Sequence, residues 1–229
     1  MKGVFQTKPV LPKNTIIWDT SVVLRFLKEL SPVHSLSFKD LSYKAVTLAA
    51  LLTGQRCQSL FFMDVRNITI NNAVVKFRFG DLLKHSRPGV HLKEIVVKAY
   101  HPDNRLCLVS TLNEYLQRTA DYRKDTTQLF VTTVKPVHAA SKQTLAKWIK
   151  RTLSRAGINM SDFTPHSTRS ASTTAANQAN IPLKTILQTA GWSNSETFAK
   201  FYNKPVVKEG LFATAIQNDS QSRNNFCDS

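Results

Sequence analysis

Residues 41–54 read LSYKAVTLAALLTG, and the fold turns on this stretch. It is apolar nearly all round and stops at a glycine. A helix without a polar face is stable only where neighbours cover it on every side, so the stretch predicts a central core helix. Gly54 is the expected stop, because a helix commonly ends on a left-handed residue and glycine adopts that conformation without a steric penalty. Arg56 follows two residues later. There it can be held near the core while pointing into a cleft, or it can be a surface arginine favoured by the negative end of the helix.

The pattern extends outward in both directions. Upstream, WDTSVVLRFLKEL (18–30) has Asp19 or Thr20 as its cap, with Val22, Val23, Phe26, Leu27 and Leu30 at helical spacing. Residues 1–17 carry Pro9 and Pro12 among Lys and Thr and are expected to form an extended, linker-like segment. Downstream, the period changes to two. DVRNITI (64–70) and AVVKFRF (73–79) flank Asn71-Asn72, a hairpin signal, and HLKEIVVKAY (91–100) is a third alternating segment. Helices return at 107–120, at 141–157 with Ser141 as cap and Gly157 as stop, and at 164–179 with Thr164 as cap and Pro165 first. Two more follow, beginning at Pro182 and at Asn194 or Ser195. QLFVTT (128–133) is expected to be a short strand. The fold class is therefore α+β, mostly α-helical, with a small three-stranded antiparallel sheet. It forms one domain over 18–212, followed by a polar tail (213–229) expected to be flexible.

Charge narrows the function. The 229 residues hold 31 Lys plus Arg against 15 Asp plus Glu, a net charge of +16. Basic side chains gain affinity by displacing counterions from phosphates, so a nucleic acid is the simplest partner. A ribosomal-type or membrane-surface protein is the other reading. The cysteines, Cys57, Cys107 and Cys227, are odd in number and far apart, without a CxxC pair, so neither a disulfide framework nor a structural zinc site is encoded. That usage fits a reducing, intracellular compartment. No apolar run reaches about 18 residues, and the N-terminus lacks the apolar stretch of a secretory signal.

A phosphodiester transfer without metal needs arginine forks on the non-bridging oxygens, a proton donor for the leaving oxygen and a nucleophile. No pair of carboxylates suggests a two-metal site, and no cofactor motif is present. Several segments fit this chemistry, each with a plainer reading beside it. Lys84 lies in the connection GDLLKHSRPGV (80–90) and could be a solvated hairpin charge. His166 and Arg169, at i and i+3 in TPHSTRSAS (164–172), share a helix face and could belong to a polar helix start. Trp192 and Tyr202 could be core aromatics.

Taken in order, Arg56 after TGQ, Lys84 in a hairpin, His166-x-x-Arg169, Gly191-Trp192 and then Tyr202 resemble the catalytic domain of the tyrosine recombinases, the phage-integrase type, over about residues 18–205. GWSNSETFAKFYNKPV (191–206) and the N-terminal lead-in resemble the recombinases of DIRS-like eukaryotic mobile elements. The resemblance implies that Arg56 and Arg169 clamp the scissile phosphate. Lys84 would protonate the leaving 5′-oxygen, His166 would assist proton transfer and the Trp192 indole would donate to a phosphate oxygen. Tyr202 would be the nucleophile of a 3′-phosphotyrosine intermediate, formed without metal or other cofactor. As a clamp residue, Arg169 should be replaceable by Ala with the fold intact. Lys76 and Lys93 compete with Lys84 for the general-acid role, and Phe201 stands at the spacing that bacterial and phage members give the nucleophile. Many members carry an acid three residues after the first arginine, where this chain has Ser59.

The resemblance further implies that helix 141–156 approaches the major groove of double-stranded DNA, with Lys142, Gln143 and Lys147 as contacts; a solvated basic face is the plainer alternative. It also implies a core-binding domain that this chain, beginning almost at the catalytic domain, is expected to lack. Other recombinase protomers are expected as partners, in a tetramer on DNA, with EGLFATAIQND (209–219) docking on a neighbour; the expected location is nuclear. Two functions follow. One is a DNA strand transferase for recombination or integration of a transposable element. The other is a non-catalytic DNA-binding module derived from a recombinase. RNA binding is a distant third, since no aromatic-and-basic strand motif is present.

Overall fold

The computed structural model describes residues 16–79, 94–123, 125–191 and 205–207. At its centre lies the predicted core helix, here α2 (Phe38–Thr53); before it come β1 (Ile17–Trp18) and α1 (Thr20–Glu29). The Ser37 side chain caps α2 by accepting from the Asp40 N–H, and Gly54 closes it in the left-handed region at φ 61°. Every residue from Leu41 to Leu51 is buried, Lys44 included. That burial explains the missing polar face: α4 (Leu108–Thr119), α5 (Lys142–Arg155) and α6 (Ser167–Gln178) all pack on α2. A short α3 (Cys57–Phe61) turns away from the end of α2 and packs on α5.

The three-stranded sheet is antiparallel in the order β2 (Ile68–Ile70), β3 (Val74–Phe77), β4 (Ile95–Lys98). Asn71 makes the β2–β3 turn as foreseen, its side-chain oxygen accepting from the N–H groups of Ala73 and Val74. Val75, Phe77 and Ile95 point into the core, while Val96 is exposed on the other face. This alternation is the period of two read from the sequence.

Four sequence expectations are corrected. Val65–Asn67 is a tight helical turn capped by Asp64 rather than part of the first strand. Residues 128–133 form no strand but two isolated bridges, because their backbone bonds are divided: Leu129 donates to Met63, whereas Phe130 accepts from Ala140. Pro182 precedes α7 (Leu183–Ala190) instead of opening it. Nor does Thr164 cap α6. A tight turn precedes the helix, with the Thr164 carbonyl accepting from both the N–H (2.9 Å) and the hydroxyl (2.6 Å) of Ser167, and the cap position falls to His166.

One feature was not foreseen. β1 pairs in parallel with β5 (Val206–Val207), and Ile17 and Trp18 are buried in the core. Two residues are too few to show a period in sequence. Among the described residues, no helix is long and apolar enough to cross a membrane.

Candidate active site

The site is built where two helices end. α2 finishes on Gly54 (φ 61°) and α7 on Gly191 (φ 70°), both left-handed. The ends nearly touch: a Cβ placed on Gly54 would lie 3.4 Å from the Ala190 Cβ. Helix C-termini gather unsatisfied carbonyls and partial negative charge, so two of them side by side call for a cation. Arg169, from the first turn of α6, supplies it. One guanidinium nitrogen, Nη1, donates to the Gly54 carbonyl at 2.7 Å and to the Ala190 carbonyl at 2.5 Å. Only 1% of Arg169 is exposed. Gln55 adds a second tie, its Nε2 donating to the Thr189 carbonyl at 2.7 Å.

Arg56 is the next residue. It stands half-buried at the cap position of α3, in extended backbone. His166, an exposed residue, lies at the head of α6. Its pKa is held below the usual 6.5, first by desolvation and then by the positive charges of Arg56 and Arg169. The three residues therefore share one electropositive corner. The arrangement can bind an oxyanion between cations beside an imidazole that is neutral at pH 7.

The basic helix α5 packs on α2 and α3. Its N-terminal end packs on α3, where the Lys142 ammonium sits 5.3 Å from the rings of both Phe61 and Phe62. Lys142, Gln143 and Lys147 are all exposed on its solvent side. Arg151 and Arg155, farther along, donate to the Tyr43 hydroxyl and the Asp40 carboxylate.

The model of the phage integrase family matches residues 19–208. The chain belongs to that family, the tyrosine recombinases. Solved structures of recombinases share the fold, three of them as follows. XerA recombinase has a TM-score of 0.62 at 17% identity, over 93% of this chain and 66% of its own. XerH recombinase in a post-cleavage complex with palindromic difH has 0.62 at 16%, over 91% of this chain and 53% of its own. A lambda integrase dimer bound to a COC′ core site has 0.55 at 16%, over 91% and 66%. The chain thus spans less than two thirds of the length of these recombinases. No curated protein matches.

Within this family domain, Arg56, His166 and Arg169 come together, whereas Lys84, Trp192 and Tyr202 lie outside the described residues, as do Lys93 and Phe201. The flanks of the later segment are described. Gly191 follows the Ala190 carbonyl that Arg169 holds, and the Pro205 carbonyl accepts from Ile17 N–H at 2.9 Å. Lys76 lies on β3, 3.8 Å from the Glu94 carboxylate. Ser59, where many members carry an acid, is buried on α3. Among the described residues, no group of three His, Cys, Asp or Glu side chains is placed to hold a metal.

Sequence reasoning missed Gln55, Trp18 and Ser167. The Trp18 Nε1–H donates to the Ser167 hydroxyl at 2.8 Å across 149 positions. Only the place of Gln55, between the helix-ending glycine and Arg56, could have marked it; for the Trp18–Ser167 pair no local pattern exists.

Proposed function

We propose that this chain is the strand-transfer domain of a site-specific DNA recombinase. The observation that carries the reading is the convergence of Arg56, His166 and Arg169 at the paired ends of α2 and α7. In this reading Arg56 and Arg169 hold the scissile phosphate. Nη1 of Arg169 is committed to two carbonyls, so the phosphate meets the other side of that guanidinium. The Tyr202 hydroxyl attacks phosphorus, its proton passing to the neutral His166 ring, and the P–O5′ bond breaks. Lys84, assisted by His166, delivers a proton to the leaving 5′-oxygen, and a 3′-phosphotyrosine link results. An incoming 5′-hydroxyl reverses the step on a new partner strand. Trp192, one residue after Gly191, donates to a phosphate oxygen. Neither metal nor cofactor enters.

Support for Tyr202 comes from the flanks: it is three residues before Pro205, which is tied to β1 beside the head of α6. Double-stranded DNA is the partner, as it is for the XerH and lambda integrase complexes, with α5 presenting Lys142, Gln143 and Lys147. Other protomers share the assembly, the catalytic domain spans 18–212, and a transposable element working in a nucleus is the proposed source. Ser59 favours a second reading. It offers no carboxylate to hold the arginines, as expected of a DNA-binding module that has lost catalysis.

Covalent trapping separates the two. Nicked duplex from the element's own ends is incubated with wild type, Tyr202→Phe and Phe201→Tyr/Tyr202→Phe, with and without EDTA, and resolved on denaturing gels. A protein–DNA adduct lost in Tyr202→Phe and indifferent to EDTA is the expected result. DNA binding without any adduct would move the chain to the second reading.

A further inference from the structure

We propose that Trp18 is a positioning residue for strand transfer, holding the head of α6 and the chain that follows Tyr202 in one fixed relation. The inference rests on the strand-transfer reading above and goes beyond it.

Trp18 lies at one end of the two-residue strand β1 and is linked in two directions. Through its side chain it reaches α6, where the indole N–H donates to Ser167 Oγ at 2.8 Å. That hydroxyl is fixed on its other side, because it donates to the Thr164 carbonyl at 2.6 Å. The same carbonyl accepts from the Ser167 N–H at 2.9 Å. The indole and the hydroxyl each have one proton to give and the carbonyl can only accept, so the three form a chain with a single arrangement. Ser167 is covalently joined to His166 and stands two residues before Arg169, so whatever fixes it fixes both.

Through its backbone, Trp18 belongs to the pair β1–β5. Ile17 is opposite Val206 and Trp18 opposite Val207, in parallel, and Ile17 N–H donates to the Pro205 carbonyl at 2.9 Å. A two-residue pair is weak by itself. β1 is not by itself: Trp18 is only 3% exposed, β1 packs on α6, and Asp19, the next residue, caps α1 by accepting from the Ser21 N–H at 2.8 Å. One buried residue thus connects two parts of the proposed site that lie far apart in sequence. Neither its burial nor its strand requires an indole N–H at this place; the bond to Ser167 does.

Strand transfer is sensitive to such placement, since about 1 Å of displacement costs on the order of a hundredfold in rate. The test measures single-turnover adduct formation and DNA affinity for wild type, Trp18→Phe, Ser167→Ala, Ser167→Thr and the double variant Trp18→Phe/Ser167→Ala. Adduct formation is expected to fall about ten- to a hundredfold in Trp18→Phe and in Ser167→Ala. The double variant should be no slower than either single variant, because both remove the same bond. Ser167→Thr, which keeps the hydroxyl, should react near the wild-type rate, and DNA affinity should stay within about twofold throughout. If Trp18→Phe does not fold, Ser167→Ala decides alone. A folded Trp18→Phe or Ser167→Ala reacting at the wild-type rate overturns the proposal, as does a loss matched by an equal loss of affinity. Should wild type form no adduct, the strand-transfer reading fails instead, and the two failures are distinct.

Discussion

Lys44 and Arg169 are both cations in the core, 0% and 1% exposed, and each donates to carbonyls that close a helix. Lys44 Nζ donates to the carbonyl of Leu30, the residue that ends α1, at 2.5 Å and to the Ser31 hydroxyl at 3.2 Å. Arg169 donates to the ends of α2 and α7. They differ in what burial does to the charge. Desolvation pulls the Lys44 pKa down from 10.5 to about 8; the Asp103 carboxylate opposes the fall and Arg105 adds to it. An arginine keeps its proton in any protein environment. The lysine can therefore lose its charge as the pH rises past about 8, whereas the arginine brings a permanent one to the corner with His166 and Arg56. Burial of a cation marks structure in the first case and, in the proposed reading, structure joined to function in the second.

The largest expected effect is that of Arg169→Ala. Two buried carbonyls lose their donor, so stability in urea should fall by about 2–5 kcal/mol. Adduct formation should drop at least about a hundredfold. The expectation that Arg169 could be removed with the fold intact took no account of these bonds: a side chain 1% exposed that joins two helix ends belongs to the scaffold as well as to the proposed site. A variant with wild-type stability would break the comparison by reducing Arg169 to a clamp alone.

Lys44→Met tests the other half. In wild type the folded pKa of about 8 lies below the ordinary 10.5, so between these values the unfolded chain binds more protons. Wild-type stability should therefore rise, relative to Lys44→Met, as pH climbs from 8 to 10.5, by up to about 3 kcal/mol. Below pH 8 the difference should be flat. Adduct formation at pH 7 should not change, since Lys44 is ten residues, roughly 15 Å, along α2 from Gly54. An adduct rate that followed Lys44 would place the lysine in the function.

A smaller effect separates two left-handed glycines. Gly54→Ala and Gly157→Ala impose similar backbone strain, about 1–2 kcal/mol, at φ 61° and φ 91°. An added Cβ meets Ala190 at 3.4 Å in the first and nothing within 4 Å in the second. Denaturation should give comparable losses. Only Gly54→Ala moves a carbonyl that Arg169 holds, so only there should adduct formation fall, by about tenfold. Equal rates in the two variants would mean that the Gly54 carbonyl does not set the arginine.

These contrasts also show what the sequence could and could not tell. Residues 41–54 were legible as a central helix because a segment apolar on every side has one outlet, full burial. Asn71 announced its turn through a side chain that bonds its own backbone. Arg56, His166 and Arg169 were legible as a set because an ordered series of residue types survives where each item alone is ambiguous. Their energetic roles were not legible. That Arg169 would hold the Gly54 and Ala190 carbonyls depends on two helix ends meeting in space. Trp18 and Ser167 are 149 positions apart, and β1 is too short for any period. Long-range bonds of single side chains leave no local pattern, and most of the positioning of this site consists of them.

The smallest effect is the proton affinity of His166, and it tests the corner itself. Desolvation, Arg56 and Arg169 all favour the neutral ring. Arg56→Gln removes one of the charges and leaves the α2–α7 junction in place, because Arg56 makes none of the bonds to Gly54, Thr189 or Ala190. The His166 pKa, followed by NMR of the ring protons, should therefore rise toward 6.5 in that variant. A duplex that seats a phosphate between the arginines should raise it as well, by placing a negative charge where the two positive ones dominate. The two perturbations act on one field, so DNA should shift the ring less in Arg56→Gln than in wild type. A titration that ignored Arg56→Gln would separate Arg56 from His166 and leave Arg169, among the described residues, as the arginine acting on the ring.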